Sequence, residues 1–132
     1  MSKHLKRFNA PKTWHIRKKE KKYITKPMPG PHRMETSLPL IVVLRDMLKL
    51  GRTRKEIKKI LNEENIAVNG KMRKDERFSL LVFDTLAIKK INKNYRIILS
   101  RGKFQAEEIN EKDASKRICR INNKKIIGKN KI

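Results

Sequence analysis

The sequence has few acidic residues, few aromatic residues and almost no cysteine. Only 13 of its 132 residues are Asp or Glu, against 36 Lys or Arg, and the formal net charge is +23. An excess of this size indicates a polyanionic partner, with nucleic acid ahead of an anionic membrane. Aromatic residues make up 5% of the chain, which is too few for a platform on which successive bases stack. The one cysteine, Cys119, excludes a disulfide within the chain and is compatible with a reducing compartment.

Long apolar runs are also missing. The longest early run, Leu38–Leu44, contains Pro39 and is far shorter than the roughly 18 residues of a membrane span. In a secretory signal an apolar run would follow the basic N-terminus, and here none does. Hydrophobic residues make up 37%, below the roughly 45–50% of ordinary domains. We therefore expect a small core and no membrane partner.

Groups of catalytic or metal-binding residues are absent from the sequence. His4, His15 and His32 are scattered, with no carboxylate at a useful spacing. No base is placed to activate Cys119, which we expect to be a small buried side chain on a strand. Asp84 lies among apolar residues and is expected to accept backbone N–H bonds at a turn or strand start. We expect no enzymatic activity, no metal, no cofactor and no small-molecule substrate.

The positive charge is concentrated at the two ends of the chain. Residues 1–33 carry a net charge of +10 and residues 112–132 a net charge of +7, which leaves +6 for the middle. The first segment is too charged to collapse alone, so we expect it to become ordered only against a partner. Within it, Trp14–Ile16 and Tyr23–Thr25 are predicted to flank a short hairpin with the basic run Arg17–Lys22 at its tip.

Trp14 allows two interpretations at this stage. Its ring stacks on an unpaired base or a sugar, or it anchors the basic segment against the rest of the protein. The basic run Arg17–Lys22 is interpreted as a nucleic-acid contact, because it combines a high charge with a flanking Pro-rich chain.

Two helices are predicted in the middle of the chain. Ser37 suits the N-cap of the first helix, Pro39 its first turn, and Gly51 a left-handed C-cap. A capping box at Thr53 starts the second helix, which is predicted to run to Glu63 after a connection of about three residues. Apolar residues at helical spacing give this helix one buried face, and lysine and arginine cover much of the rest. Since base readout favours Arg, Asn and Gln, the lysines favour phosphate and shape recognition.

Short strands and turns follow the second helix. Ile66–Val68 is predicted to be a strand, and Asn69-Gly70 is a strong signal for a hairpin turn. A second hairpin is expected around Asn92–Asn94 and a basic turn at Arg101–Lys103. A helical turn is predicted over Glu111–Arg117, and a further strand over residues 118–121.

The helix and the turn together resemble the S-four RNA-binding domain, or alpha-L motif, whose pattern matches Thr53-Arg54 and Val68-Asn69-Gly70. The whole chain resembles the archaeal–eukaryotic small-subunit ribosomal protein four of the "e" type, and its spacing is closer to archaeal members. The stretches that carry this resemblance are collinear: Lys3–Trp14, Lys26–His32, Ser37–Leu48, Val68–Asp75, Arg101–Phe104 and Glu111–Ile121.

This resemblance implies an α+β fold in three parts. They are a basic rRNA-binding extension (residues 1–36), an alpha-L domain of two helices plus β-hairpins (37–100) and the start of a central β-rich domain (101–132). Family members continue through that domain into a small barrel. The chain is therefore expected to be a fragment, an incomplete structure or a shortened family member. It stops shortly after the strand-like Ile126–Ile127. Glu64 stands where members usually have Gly, and we expect the helix to end with Asn65 in a left-handed conformation.

The resemblance implies a structural constituent of the small ribosomal subunit in the cytoplasm. It implies binding to small-subunit rRNA beside neighbouring small-subunit proteins. The alternative is a stand-alone alpha-L-type factor acting on tRNA or ribosomes, which would not need the segment Lys3–Trp14. The predicted RNA contacts lie in the basic extension, the second helix and the turn: Lys3, His4, Lys6, Arg7, Lys12, Trp14, Arg17, Lys18, Lys19, Lys21, Lys22, Arg52, Arg54, Lys55, Lys58, Lys59, Asn69, Lys71 and Arg73.

Overall fold

The computed structural model describes residues 4–30 and 32–125, in which nine strands and three helices form. The strands are β1 Leu5–Lys6, β2 Tyr23–Ile24, β3 Leu38–Pro39, β4 Ile66–Val68, β5 Lys71–Met72, β6 Ser79–Leu80, β7 Thr85–Ile88, β8 Lys93–Ser100 and β9 Lys103–Ile109. The helices are α1 Leu40–Val42, which continues as a π-helix over Val43–Met47, then α2 Arg54–Asn62 and α3 Glu111–Ala114. Single 3₁₀ turns occupy Arg7–Asn9, Met34–Thr36 and Lys89–Ile91.

Five strands form an antiparallel sheet in the order β5-β4-β7-β8-β9. Two of its hairpins close through two-residue loops, Asn69-Gly70 (φ 50° and 77°) and Arg101-Gly102 (φ 49° and 73°). Positive φ at both central positions matches the right-handed twist of the paired strands. The predicted turns at Asn69-Gly70 and Arg101-Gly102 are confirmed. The hairpin expected around Asn92–Asn94 also forms, between β7 and β8, but its connection is residues 89–92, because residues 93 and 94 already belong to β8.

The first helix begins later than predicted, because its expected first residues form a strand. Leu38 and Pro39 pair with Leu80 and Ser79 of β6, and Ser37 makes no side-chain cap. The N-cap position falls on Pro39. Backbone that is paired in a β-ladder cannot also form the first turn of a helix, so the assignment of Ser37 as N-cap is wrong.

The predicted role of Gly51 is also wrong. Lys49 takes the left-handed conformation (φ 54°), and residues 48–53 join the two helices instead of about three residues. Gly51 has a different physical reason to be glycine: a Cβ there would lie 3.0 Å from Ile57 Cδ1 and 3.2 Å from Glu56 Cβ. The absence of a side chain lets this connection pass close to α2.

The core lies between the two helices and one face of the sheet. Residues 40–44 of α1 are fully buried together with Ile57 and Leu61 of α2, and Ile66, Leu86 and Ile97 of the sheet pack with them. Each such side chain contributes about 1.5–3 kcal/mol when removed from water. Because the apolar residues of α2 recur at helical spacing, they form one buried face, and the other side chains of the helix point to solvent.

The basic N-terminal segment is part of this core, contrary to the expectation that it orders only against a partner. Leu5, Ala10, Trp14 and Ile24 are buried in the main cluster. A backbone bond from the Phe104 amide to the Thr13 carbonyl, at 2.8 Å, ties the segment to β9. The predicted hairpin is wrong as well, because Tyr23–Ile24 pairs with Leu5–Lys6. The burial of these four apolar side chains outweighs the charge repulsion from which we expected that the segment could not fold without a partner.

Three further predictions fail after α2 and near the C-terminus. Glu64 (φ 55°), not Asn65, is left-handed, and the Asn65 carbonyl accepts a bond from the Lys89 amide at 2.8 Å. The helical turn over 111–117 is confirmed by α3, but Ile118–Ile121 forms no strand and Cys119 is exposed. The expectation for Ile126–Ile127 lies outside the described residues.

Candidate nucleic-acid interface

The N-terminus of α2 is held by the predicted capping box. Thr53 Oγ1 accepts a bond from the Glu56 amide at 3.3 Å, and Glu56 Oε2 accepts from the Arg52 and Thr53 amides at 2.8 and 3.4 Å. These bonds lower the pKa of Glu56, the bond from the Arg52 amide most of all. The ionised carboxylate keeps the first turn formed, and this fixes where the basic residues of the helix begin.

The outer face of α2 is cationic. The side chains at positions 54, 55, 58 and 59 are all exposed, while Ile57 and Leu61 are fully buried. Among the described residues, neither Lys55 nor Lys59 has a side-chain hydrogen bond or an ion pair. Two of the four cations are therefore available to an external anion without breaking an internal contact.

The other two cations share a buried carboxylate that nothing in the sequence singled out. The Glu76 side chain is 5% exposed. Its Oε1 accepts bonds from Arg54 Nε, at 2.8 Å, and from Arg54 Nη2, and it lies 3.6 Å from Lys58 Nζ. The hydrogen bond to Glu76 raises the pKa of Arg54. Because a buried carboxylate needs its cations, Glu76 holds the head groups of Arg54 and Lys58 in place.

The Asn69-Gly70 turn is held from inside by side-chain hydrogen bonds. Asn69 Nδ2 donates to Asp84 Oδ1 at 2.8 Å, and Asn69 Oδ1 accepts from the Thr85 amide at 2.9 Å. Asp84 is 2% exposed, and its Oδ2 accepts from the Leu81 amide at 2.8 Å. The expectation that Asp84 accepts a backbone N–H is confirmed. The amide of Asn69, predicted to contact RNA, is instead engaged in holding the turn.

A second group of cations lies beside this turn. The Arg73 guanidinium carbon is 4.3 Å from the centre of the Phe78 ring, and Lys71 is exposed. Arg117 Nη2 lies 3.2 Å from Asp84 Oδ1, which brings the segment after α3 against the turn. Between them is a recess of about 390 Å³, so cations distant in sequence share one surface.

Two predicted contacts in the N-terminal segment are buried, and this corrects their assignment. Trp14 is 2% exposed and its indole N–H donates to the Ser37 carbonyl at 2.8 Å, so it is the anchor of the segment. Arg7 is also 2% exposed; its Nη1 donates to the Arg17 carbonyl at 2.7 Å and lies 3.6 Å from Glu20 Oε2. Buried in this way, neither side chain is presented to an external partner.

The remaining predicted contacts in this segment are at the surface. Lys18 is half-buried, and Lys3 lies outside the described residues. The exposed ones are His4, Lys6, Lys12, Arg17, Lys19, Lys21 and Lys22. Arg52, at the start of α2, is exposed and Arg73 is half-buried.

Within residues 4–30 and 32–125, no three His, Cys, Asp or Glu side chains group as metal ligands would. No helix there is long and apolar enough to cross a bilayer. The geometry that is present, exposed cations on a rigid helix and turn, is suited to binding phosphate groups.

The chain is similar in sequence to known proteins. Residues 1–35 match the family model described as the RS4NT (NUC023) domain, and residues 91–132 match the one described as ribosomal family S4e. The chain is 48% identical, over 98% of its length, to the "Small ribosomal subunit protein eS4" of Methanocella arvoryzae, of which it covers 55%. It is 45% identical, over 90% of its length, to the protein of that name from Methanosphaera stadtmanae, of which it covers 50%.

A solved structure is also similar. It is the crystal structure of the 30S ribosomal protein S4e from Thermoplasma acidophilum, with a TM-score of 0.52 and 26% identity. The similarity covers 61% of this chain and 41% of that one.

The fold and the charged surface define a small, basic protein of mixed α and β structure with few helices. The matches at both ends of the sequence and the curated relatives agree with one another. The chain belongs to the ribosomal S4e family, and it spans about half the length of the curated relatives it matches.

Proposed function

We propose that this chain is a non-catalytic structural component of the small ribosomal subunit in the cytoplasm. In that role it binds and stabilises small-subunit rRNA, beside neighbouring small-subunit proteins and without a cofactor. The observation that carries the proposal is the 48% identity over 98% of this chain to a protein named as a small ribosomal subunit protein. The net charge of +23 supplies the electrostatics that such a role requires.

Within that role, the three-part organisation expected from the sequence is retained as a proposal. Residues 1–36 form the basic extension, residues 37–100 the alpha-L domain, and residues 101–132 the start of a central β-rich domain. Support for the alpha-L domain comes from the capped helix α2 followed by the β4–β5 hairpin at Asn69-Gly70. The third part begins in the turn between β8 and β9, so it continues the same sheet.

Recognition is expected to act on phosphates and on shape. Lys55 and Lys59 provide exposed point charges, whereas the head groups of Arg54 and Lys58 are held in place by Glu76. Each neutralised phosphate releases counterions, and this release supplies affinity without reading sequence. The rigid helix and turn add shape, because their positions are fixed by buried contacts.

The alternative function is a stand-alone factor that acts on tRNA or ribosomes. The match of residues 1–35 to a family model that accompanies the S4e match disfavours it. The burial of Trp14 also disfavours it, since the extension is built into the fold rather than appended to it.

The test measures binding of the full chain to small-subunit rRNA over a range of salt, with and without excess tRNA. Binding to rRNA is expected to persist with tRNA present. The double variant Lys55→Ala/Lys59→Ala should weaken binding and reduce the slope of log K against log salt by about 1 to 2. These two lysines are preferred to Arg54 and Lys58, because removing the latter pair would leave Glu76 buried without a cation.

The matched control is Lys90→Ala/Lys112→Ala. It removes the same charge from exposed positions outside the predicted interface. An equal change of slope in both double variants would show that α2 is not the interface. Equal competition by tRNA would favour the stand-alone factor instead.

A further inference from the structure

A recess of about 350 Å³ lies where the N-terminal segment meets α2. Its lining includes Tyr23, Lys26, Arg45, Arg54 and Arg77. Its lining, among the described residues, includes no carboxylate. An aromatic ring and several guanidinium groups therefore face the same space, although they come from four separate parts of the sequence.

Tyr23 is a large aromatic side chain that remains half in solvent. It is 50% exposed, even though its backbone is held by pairing of β2 with β1 at Lys6. The His4 ring is tilted at 47° with its centre 5.8 Å away, and Lys22 Nζ is 5.4 Å from the Tyr23 ring centre. The ring is thus braced by neighbours while part of its surface stays open.

The three arginines are positioned by contacts within the protein. Arg45 makes two bonds to Asp46, both 2.8 Å long. Arg54 is held by Glu76, and Arg77 Nε donates to the Lys26 carbonyl at 3.0 Å. A guanidinium has five N–H donors, so each arginine keeps donors for an incoming anion. Because the head groups are already held, little conformational entropy remains to be lost on binding.

From this arrangement we propose that the recess binds one unpaired nucleotide of an RNA strand. The base stacks on Tyr23, and the adjoining phosphates meet Arg45, Arg54 and Arg77. Paired bases in an RNA helix keep their faces stacked, whereas unpaired bases splay out onto aromatic side chains. The scarcity of aromatic residues excludes a platform for many bases, and this recess needs one ring only.

The inference rests on the proposed function and deepens it. The face of α2 binds phosphates of any helix, while the recess selects a place where the helix carries an unpaired residue. Its volume falls within the range of about 300–1,000 Å³ that is usual for small-ligand sites.

The experiment uses the full chain and two RNA hairpins. One hairpin carries a single bulged 2-aminopurine, and the other has the same 2-aminopurine paired in an unbroken stem. The protein is expected to bind the bulged hairpin about tenfold more tightly. Stacking on Tyr23 should also quench the fluorescence of the bulged 2-aminopurine. Tyr23→Leu is expected to remove both effects and leave binding to the paired hairpin unchanged, and Tyr23→Phe should retain both.

The matched control is Phe8→Leu, which removes another exposed aromatic side chain of the same segment, one that does not line the recess. It should keep the preference for the bulge. Equal binding to both hairpins by the unaltered chain would overturn the inference and leave the proposed function standing. Loss of preference in Phe8→Leu would overturn the assignment to this recess. Displacement by excess free adenosine monophosphate would show a site for free nucleotides instead, and no binding to either hairpin would defeat the proposed function itself.

Discussion

Trp14 joins the basic N-terminal segment to the rest of the protein, and its removal should lower the stability of the whole. The ring is 2% exposed within the main apolar cluster, and its N–H donates to the Ser37 carbonyl across 23 residues of sequence. Trp14→Ala is expected to lower the free energy of unfolding by about 3–5 kcal/mol, because it removes this contact area and leaves a cavity. That is a large share of the roughly 5–15 kcal/mol that stabilises a domain.

Trp14→Phe separates the hydrogen bond from the packing. Phenylalanine keeps much of the volume, but the Ser37 carbonyl loses its donor in a buried place. We expect a loss of about 1–3 kcal/mol, smaller than that of the alanine variant. Phe8→Ala is the control, since Phe8 is 67% exposed in the same segment and should change the free energy of unfolding by no more than about 0.5 kcal/mol.

The assay is unfolding in guanidinium chloride followed by far-ultraviolet circular dichroism. Fluorescence is unsuitable, because Trp14 is the one tryptophan of the chain. Limited proteolysis of each variant then reports on the N-terminal segment alone. If Trp14→Ala left the free energy of unfolding unchanged and only made this segment sensitive to protease, the segment would not share the cooperative core, and the reasoning would be refuted.

Two further predictions concern the region where α2 begins. The pKa of Glu56 is lowered in the folded protein, so its contribution to stability is present above its ordinary pKa of 4.5 and is lost as the pH falls through the lower folded value. Glu56→Gln should therefore make the fall of Tm in acid less steep, and an unaltered acid limb would speak against the capping box. Gly51→Ala should lower the free energy of unfolding by about 1–2 kcal/mol, since its Cβ would meet Ile57 Cδ1 at 3.0 Å; a gain in stability on chemical denaturation would show that the connection has room.

Much of the local structure was predictable from the sequence. The capping box at Thr53, the strand Ile66–Val68 and the turns at Asn69-Gly70 and Arg101-Gly102 all form as expected. The sequence signals for these features lie within three or four positions of each other. They are residue types that can cap a helix, alternate along a strand or tolerate a positive φ, and these properties do not require a partner distant along the chain.

The errors have a common physical origin in partners distant along the chain. Ser37 was assigned to a helix that cannot begin there, because β3 pairs with β6 about forty residues later. Left-handed conformations fall on Lys49 and Glu64, where sequence rules favour Gly51 and Asn65. The backbone next to each is held by a hydrogen bond, from the Leu50 amide to the Leu44 carbonyl and from the Lys89 amide to the Asn65 carbonyl, so each residue takes a conformation that it does not itself prefer.

The predicted interface likewise combines features that short-range signals predicted with features that depend on partners distant along the chain. The cations of α2 were identified correctly as exposed, since an amphipathic helix with a buried apolar stripe leaves its other residues outside. Glu76, which holds two of them, was not identified, because it lies about twenty residues from Arg54 in a loop without a motif. The proposed recess at Tyr23 could not be found in the sequence for a similar reason.

The sequence by itself determined the charge and the periodic elements, because these follow from composition and short-range spacing. Its resemblance to known proteins indicated the family. Tertiary structure alone decided which basic and aromatic side chains are presented to solvent. Trp14 and Arg7 are buried, and the amide of Asn69 is hydrogen-bonded to Asp84. Tyr23 remains half exposed beside three arginines. Burial is a property of where chain segments meet, and a side chain's own chemistry does not specify it.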